Sequence, residues 1–330
     1  MKLLLLAVTP FLAATAADWP ERDGARLERN ARGEVIAADF TGTWVSDDDL
    51  ARLAPLFPKL EKLTLAHTRL TDAAFPHLAA LTGVRELDCY YAEFFTADAL
   101  AHLASWQKLE RLSLRGTRVT SKAFEHIARL KNLRSLDIAY TQIDDARLDL
   151  LAELTHLESL ALGGTPLTAA GLAQLRLLTN LRHLDISGVQ RVDSGEWGVA
   201  LNPAAFAEIG ALAGLRTLNL AGATRTDAGA DRPGLKESVR ATIEGTSALG
   251  KLAQLELLDI SRLPISAAAL APLAELPKLI ELRASLAPLL GEAAVPVLLR
   301  FPALTRVRVD GSLPPEAMQK LSAARPAWFR

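Results

Sequence analysis

Apolar residues return along this chain in the spacing apolar-x-x-apolar-x-apolar. They begin at Val35, Leu60, Val84, Leu109, Leu133, Leu157, Leu181, Leu215, Leu255, Leu279 and Leu304. Most intervals are 24 or 25 residues; the exceptions are 34 after Leu181 and 40 after Leu215. A fixed period of that length predicts about eleven stacked units, none able to bury its apolar face alone. It also lowers the odds of a reaction site, because such stacks display surfaces more often than they enclose cavities.

The stretch from Leu60, LEKLTLAHTRLTDAAFPHLAALTG, shows how one unit builds itself. Leu60, Leu63 and Leu65 line an inner face, and the alternation Leu63-Thr64-Leu65 marks a short strand. Thr68 and Leu70 turn the chain. Thr71 is a suitable N-cap, Asp72 suits the positive end of a helix, and Phe75, Leu78 and Leu81 recur at helical spacing. Stacking aligns the strands into a parallel sheet. Helices are wider than the roughly 4.8 Å strand spacing, so the stack curves with its sheet on the concave side. A threonine recurs after the strand as Thr43, Thr68, Thr117, Thr141 and Thr165, where its hydroxyl is placed to satisfy turn backbone hidden from water.

Units such as LERLSLRGTRVTSKAFEHIARLKN and LRSLDIAYTQIDDARLDLLAELTH resemble the bacterial secreted leucine-rich repeat family. The running form is L-x-x-L-x-L-x-x-T-x-[IV]-T-D-x-x-L-x-x-L, and the resemblance covers Val35 to Gly311. It implies an α/β fold: a right-handed curved solenoid of about eleven repeats, with a parallel concave sheet and short convex helices. It also implies partner binding and no chemistry. Threonine replaces the family's common asparagine, and from the seventh unit onward the position becomes Val189, Ala223, Leu263 and Ala287.

The flanks are expected to be different. Residues 1–17 combine Lys2, an apolar run from Leu3 to Leu12 and Ala14-Thr15-Ala16, the pattern of a signal peptide cleaved near Ala16 or Ala17. That run is too short to span a bilayer. Residues 18–34 then cap one end of a solenoid over 35–311, and 312–330 cap the other with a helix from Pro315 and Trp328 or Phe329 packed on it. The expected product is a secreted or periplasmic monomer. Cys89 is the single cysteine, in an inward slot, so no internal disulfide is available.

With 37 basic and 38 acidic residues, nothing in the charge favours nucleic acid. No nucleophile elbow, phosphate loop, H-E-x-x-H or C-x-x-C is present, and no cofactor is expected. His77, His102 and His126 hold corresponding helix positions, a column made by the repeat and not a metal-ligand spacing.

Two places point to a partner. The long seventh and eighth units carry inserts at about 192–201 and 225–243, both after the strand and before the helix. Neighbouring inserts emerge on one face, either as a binding lobe around Trp197 or as tolerated decoration. The second place is the concave sheet. Its middle slot includes Asp88, Asp137 and Asp185, about 10 Å apart by strand spacing. Arg85, Arg111, Arg134 and Arg182 are expected to balance these acids, and no feature of the pattern raises their pKa values. Tyr90, Tyr91 and Tyr140, with His67 and His183, are expected at the C-terminal strand ends, as hot spots or as packing against the next repeat. Arg283, Arg306 and Arg308 are expected to make the far end basic. The expected function is binding of a protein or peptide, without catalysis. Alternatives are a cell-envelope or environmental glycan and, third, a hydrolase using the acidic column.

Overall fold

A computed structural model describes residues 19–188, 190–192, 195–223 and 245–329. The expected signal segment and the second insert lie outside them. Each predicted repeat start leads into a strand within a few residues. These are β2 (Val35–Asp39), β3 (Lys62–Thr64), β4 (Glu86–Asp88), β5 (Arg111–Ser113), β6 (Ser135–Asp137), β7 (Ser159–Ala161) and β8 (His183–Asp185). Beyond the first insert follow β11 (Thr217–Asn219), β12 (Leu257–Asp259), β13 (Glu281–Arg283) and β14 (Arg306–Arg308). All eleven pair in parallel, and β1 (Arg26–Arg29) closes the first edge antiparallel to β2. The sheet never closes on itself, which leaves a curved solenoid.

Register follows the leucines. Leu112, Leu136, Leu160 and Leu184 face one another across β5 to β8, and each is buried. A one-residue slip would turn this whole row outward, so burial pins the pairing. One continuous apolar core runs from Ala25 to Trp328.

The convex side carries short helices, many of them 3-10 turns, such as Ala97–Leu103 and Leu148–Glu153. About two turns must fit between strand and return loop, and the 3-10 form covers more length per residue. Thr71, Thr96 and Thr168 cap them, each hydroxyl oxygen accepting the N–H two residues on. Asp72 has a further role: its carboxylate accepts both the N–H and the hydroxyl of Thr96 in the next unit. Asp47 does the same for Thr71, and Asp145 for Thr168, so these caps also link neighbours.

The recurrent threonines behave as expected. Thr43, Thr68, Thr117, Thr141 and Thr165 each donate their hydroxyl to the carbonyl three residues earlier. At the end of the chain a helix spans Pro315–Ala324, and Trp328 is buried with its indole N–H on the Leu304 carbonyl at 2.8 Å. Phe329 stays 37% exposed.

Candidate binding face

The C-terminal edge of the parallel sheet is built from one turn repeated eleven times. Its pivotal residue has positive φ in every unit: Gly42, His67, Tyr91, Gly116, Tyr140, Gly164, Gly188, Gly222, Arg262, Leu286 and Gly311. Glycine takes this conformation freely, whereas His67, Tyr91 and Tyr140 hold it at a cost. Stacking supports it: the N–H of Tyr91 donates to the Arg115 carbonyl, and that of Tyr140 to the Gly163 carbonyl.

The aspartates belong to the same turn. Asp88, Asp137, Asp185 and Asp259 each accept, through Oδ1, the N–H two residues on, and Asn219 does likewise. One oxygen is therefore committed to the backbone, and the other is directed elsewhere. Oδ2 of Asp185 accepts from the Asn219 amide at 3.0 Å, and Oδ2 of Asp137 lies 3.6 Å from the Arg115 guanidinium.

Across β6 to β13 the concave surface dips into a cleft of about 340 Å³. Asp137, Asp185 and Asp259 line it with Ser135, Ser159, His183, Thr217, Asn219 and Arg283. Asp88 lies two strands short of Asp137 and outside the cleft. The expectation that nothing raises these carboxyls is corrected at Asp137. Burial pushes its pKa up and neighbouring Asp185 adds to this, while the Ala139 N–H and Arg115 oppose it.

The balancing arginines also differ from expectation. Arg85, Arg111 and Arg134 pair with Glu110, Glu86 and Glu158 of adjacent units, not with the aspartate column. They start at a different register position from the aspartates, so their nearest carboxylates are those beside them on neighbouring strands. Burial alone would raise the Glu86 carboxyl, but hydrogen bonds from Lys62 and Arg111 hold it below the usual range. Arg115 and Arg26 are the cations beside Asp137 and Asp39. The basic far end is likewise moderated. Glu281, only 6% exposed, accepts from Arg283 at 2.6 Å and lies 3.2 Å from Arg306.

Aromatic residues gather along the turns of the first units. His67 stacks on Tyr91 with centroids 5.9 Å apart, and Tyr90 meets Tyr91 edge-on at 4.7 Å. Tyr140 lies further along, under the Arg115 guanidinium at 4.5 Å. Tyr91 and Tyr140 are half-buried packing residues, whereas Tyr90 and His67 are exposed. His183 is not at this edge: it opens β8 at the N-terminal end, because the strand begins at the third residue of the repeat. Sequence reasoning missed two more aromatics. Trp44 is 83% exposed and Phe94 55%, with Arg69 between them, 5.1 and 5.9 Å from the two rings. Each precedes a buried apolar residue (Val45, Leu70 and Phe95), and that fixed offset was the available signal.

Trp197 ends β10 (Gly195–Trp197), which pairs antiparallel with β9 (Gln190–Val192) as a separate ribbon. Its side chain lies outside the described residues. Cys89 is fully buried, and burial drives its thiol pKa far above the ordinary value. Among the described residues no group of three or more His, Cys, Asp or Glu side chains could hold a metal ion, and no helix is long and apolar enough to cross a membrane.

No family model and no curated relative matches the chain. Among solved structures, it is similar to an internalin from Listeria monocytogenes at 20% identity and a TM-score of 0.54. That match covers 83% of this chain and 68% of the internalin chain. A second similar structure is the ectodomain of the plant membrane receptor kinase GASSHO1/SCHENGEN3 from Arabidopsis thaliana, in complex with CASPARIAN STRIP INTEGRITY FACTOR 2. It aligns at 17% identity and a TM-score of 0.46, over 89% of this chain and 38% of the ectodomain. Both are leucine-rich repeat proteins, and the internalin match shows that fold for this chain.

Proposed function

We propose that this curved leucine-rich repeat solenoid is an exported binding module that holds a peptide or protein segment on its concave face without acting on it chemically. The observation that carries the reading is the cleft of about 340 Å³ lined by Asp137, Asp185 and Asp259. It is open, three of its charged lining residues are aspartates, and its strands are already paired on both sides, so recognition falls to side chains. The acidic lining favours a segment bearing lysine or arginine. Export rests on the charged and apolar pattern of residues 1–17.

A peptide and protein array probed with the full chain tests this, followed by Asp185→Lys. Retained basic segments that lose at least tenfold affinity on Asp185→Lys support the reading. Retention that ignores the substitution overturns the site. Shortening 192–201 and 225–243 to regular units asks whether the inserts share in binding.

A glycan reading has its own observation, the exposed Trp44, Tyr90 and Phe94, whose rings are available to stack on sugars. Glycans on the same array, with Trp44→Ala as control, decide between the two. For a hydrolase, the raised Asp137 carboxyl is the supporting observation. Against it, two strand spacings separate the backbones of Asp137 and Asp185 by about 10 Å, well beyond the roughly 5 Å of a retaining pair.

A further inference from the structure

The N-terminal edge of the sheet carries a ladder of alternating charge, and the alternation fails at one step. Residues 61, 85, 110, 134, 158, 182, 216 and 256 occupy one position in eight consecutive units. In order they are Glu61, Arg85, Glu110, Arg134, Glu158, Arg182, Arg216 and Glu256. Their backbones form successive rungs, each N–H donating to the carbonyl of the residue before it in this series. The side chains pair along the same line: Arg85 with Glu110, Arg134 with Glu158, and Arg216 with Glu256 at 3.6 Å. Where Arg182 should meet a glutamate it meets Arg216.

Arg182 therefore has no carboxylate partner among the described residues. Its Nη1 donates to the carbonyls of Thr179 at 3.1 Å and Leu181 at 3.0 Å, which hold the guanidinium in place without neutralising it. A Cβ added to Gly214 would stand 2.5 Å from that nitrogen, so glycine leaves the room the guanidinium occupies. Beside it opens a cleft of about 320 Å³ lined by Glu158, Asn180, Arg182, His183 and Arg216. Its one acid, Glu158, is already engaged by Arg134 at 2.5 Å. His183 lines both this cleft and the acidic one, so the two lie side by side.

We propose that Arg182 and Arg216 bind a carboxylate of the ligand, an acidic side chain or a free C-terminus, which supplies the charge the ladder lacks. A guanidinium offers paired N–H donors that match a carboxylate fork, and two adjacent like charges attract an anion that relieves their repulsion. This rests on the peptide reading above and sharpens it. The segment that fits carries a basic group over Asp185 and an acidic one over Arg182, which lie three residues apart in sequence, about 10 Å of extended backbone.

The test begins with small ions, so that it does not depend on finding the partner. The full chain is titrated with sodium acetate, inorganic phosphate and sodium chloride at equal ionic strength. The arginine Nε–Hε resonances are followed and assigned through Arg182→Gln, Arg216→Gln and Arg134→Gln. Saturable shifts of the Arg182 and Arg216 signals with acetate, absent with chloride and lost in Arg182→Gln, are expected, while Arg134 stays still. Equal movement with chloride, equal movement of Arg134, or saturation with phosphate alone overturns the assignment. On the peptide array, Arg182→Gln should weaken acid-bearing peptides at least fivefold and leave their glutamine counterparts unchanged. If no peptide binds the unaltered chain, the peptide reading fails while the acetate result still decides the anion site.

Discussion

Tyr140 reaches across two repeats to lie on Gly188: a Cβ on that glycine would stand 2.2 Å from the phenolic oxygen. A Cβ on Gly164, in the unit between, would meet the same ring at 2.8 Å. The tyrosine thus lies along the turn ladder, and the glycines provide its bed. Gly188 also has a φ of +76°. Gly188→Ala should cost about 1–2 kcal/mol from backbone conformation alone, plus a further loss from displacing the ring. Urea denaturation in a double-mutant cycle with Tyr140→Ala separates the two. If the cost is the same with and without the tyrosine, the ring is not held there.

Burial predicts a sharp contrast across one strand and its edge. Leu160 is buried and Glu158 is exposed. Leu160→Ala should destabilise by roughly 2–5 kcal/mol. Glu158→Ala should cost well under about 1 kcal/mol, since its pair with Arg134 is open to solvent. Comparable losses from both in thermal unfolding would contradict the register.

The buried threonines are a third target. Thr141 is fully buried and donates to the Ile138 carbonyl at 2.7 Å. Thr141→Val keeps the shape and removes the donor, leaving a buried carbonyl short of a partner, for a loss of about 1–3 kcal/mol. Thr141→Ser should recover most of it. A serine variant as unstable as the valine one would mean that methyl packing matters, not the hydroxyl.

Asp137 makes stability depend on pH. Burial raises its folded pKa above the ordinary 3.8, so the folded state binds the proton more tightly than the unfolded chain. Its contribution is full below the unfolded value and is lost as pH rises through the folded one. Asp137→Asn keeps the oxygen that accepts the Ala139 N–H and has no charge to bury. The variant should gain stability relative to the parent as pH climbs above about 4. Melting curves from acid to neutral pH check the sign; a parent that gains on the variant over that range would refute it.

How far the sequence could be read depended on whether a property repeats. Eleven strands, their parallel stacking, the inward leucines and the Thr68 type of hydroxyl bond were all legible. Each follows from a spacing of a few residues, and the period multiplies the signal. The turn ladder was half legible, because glycine marks it at Gly42, Gly116, Gly164 and Gly188 while His67, Tyr91 and Tyr140 hide the same conformation behind side chains.

The site was another matter. Asp137 and Asp88 look alike in sequence, yet of the two only Asp137 lines the cleft. Depth depends on the curvature of the stack and the size of side chains two units away. The arginines were assigned to the wrong acids for a similar reason: a charge pairs with whatever the neighbouring strand places beside it, as Arg134 does with Glu158. Sequence by itself determined the unit and its repetition, because strand and turn preferences act over a few residues. Tertiary structure decided which charges meet, which aspartates line the cleft and where, among the described residues, the ladder at Arg182 lacks a carboxylate, because those depend on distances between residues 24 or more positions apart.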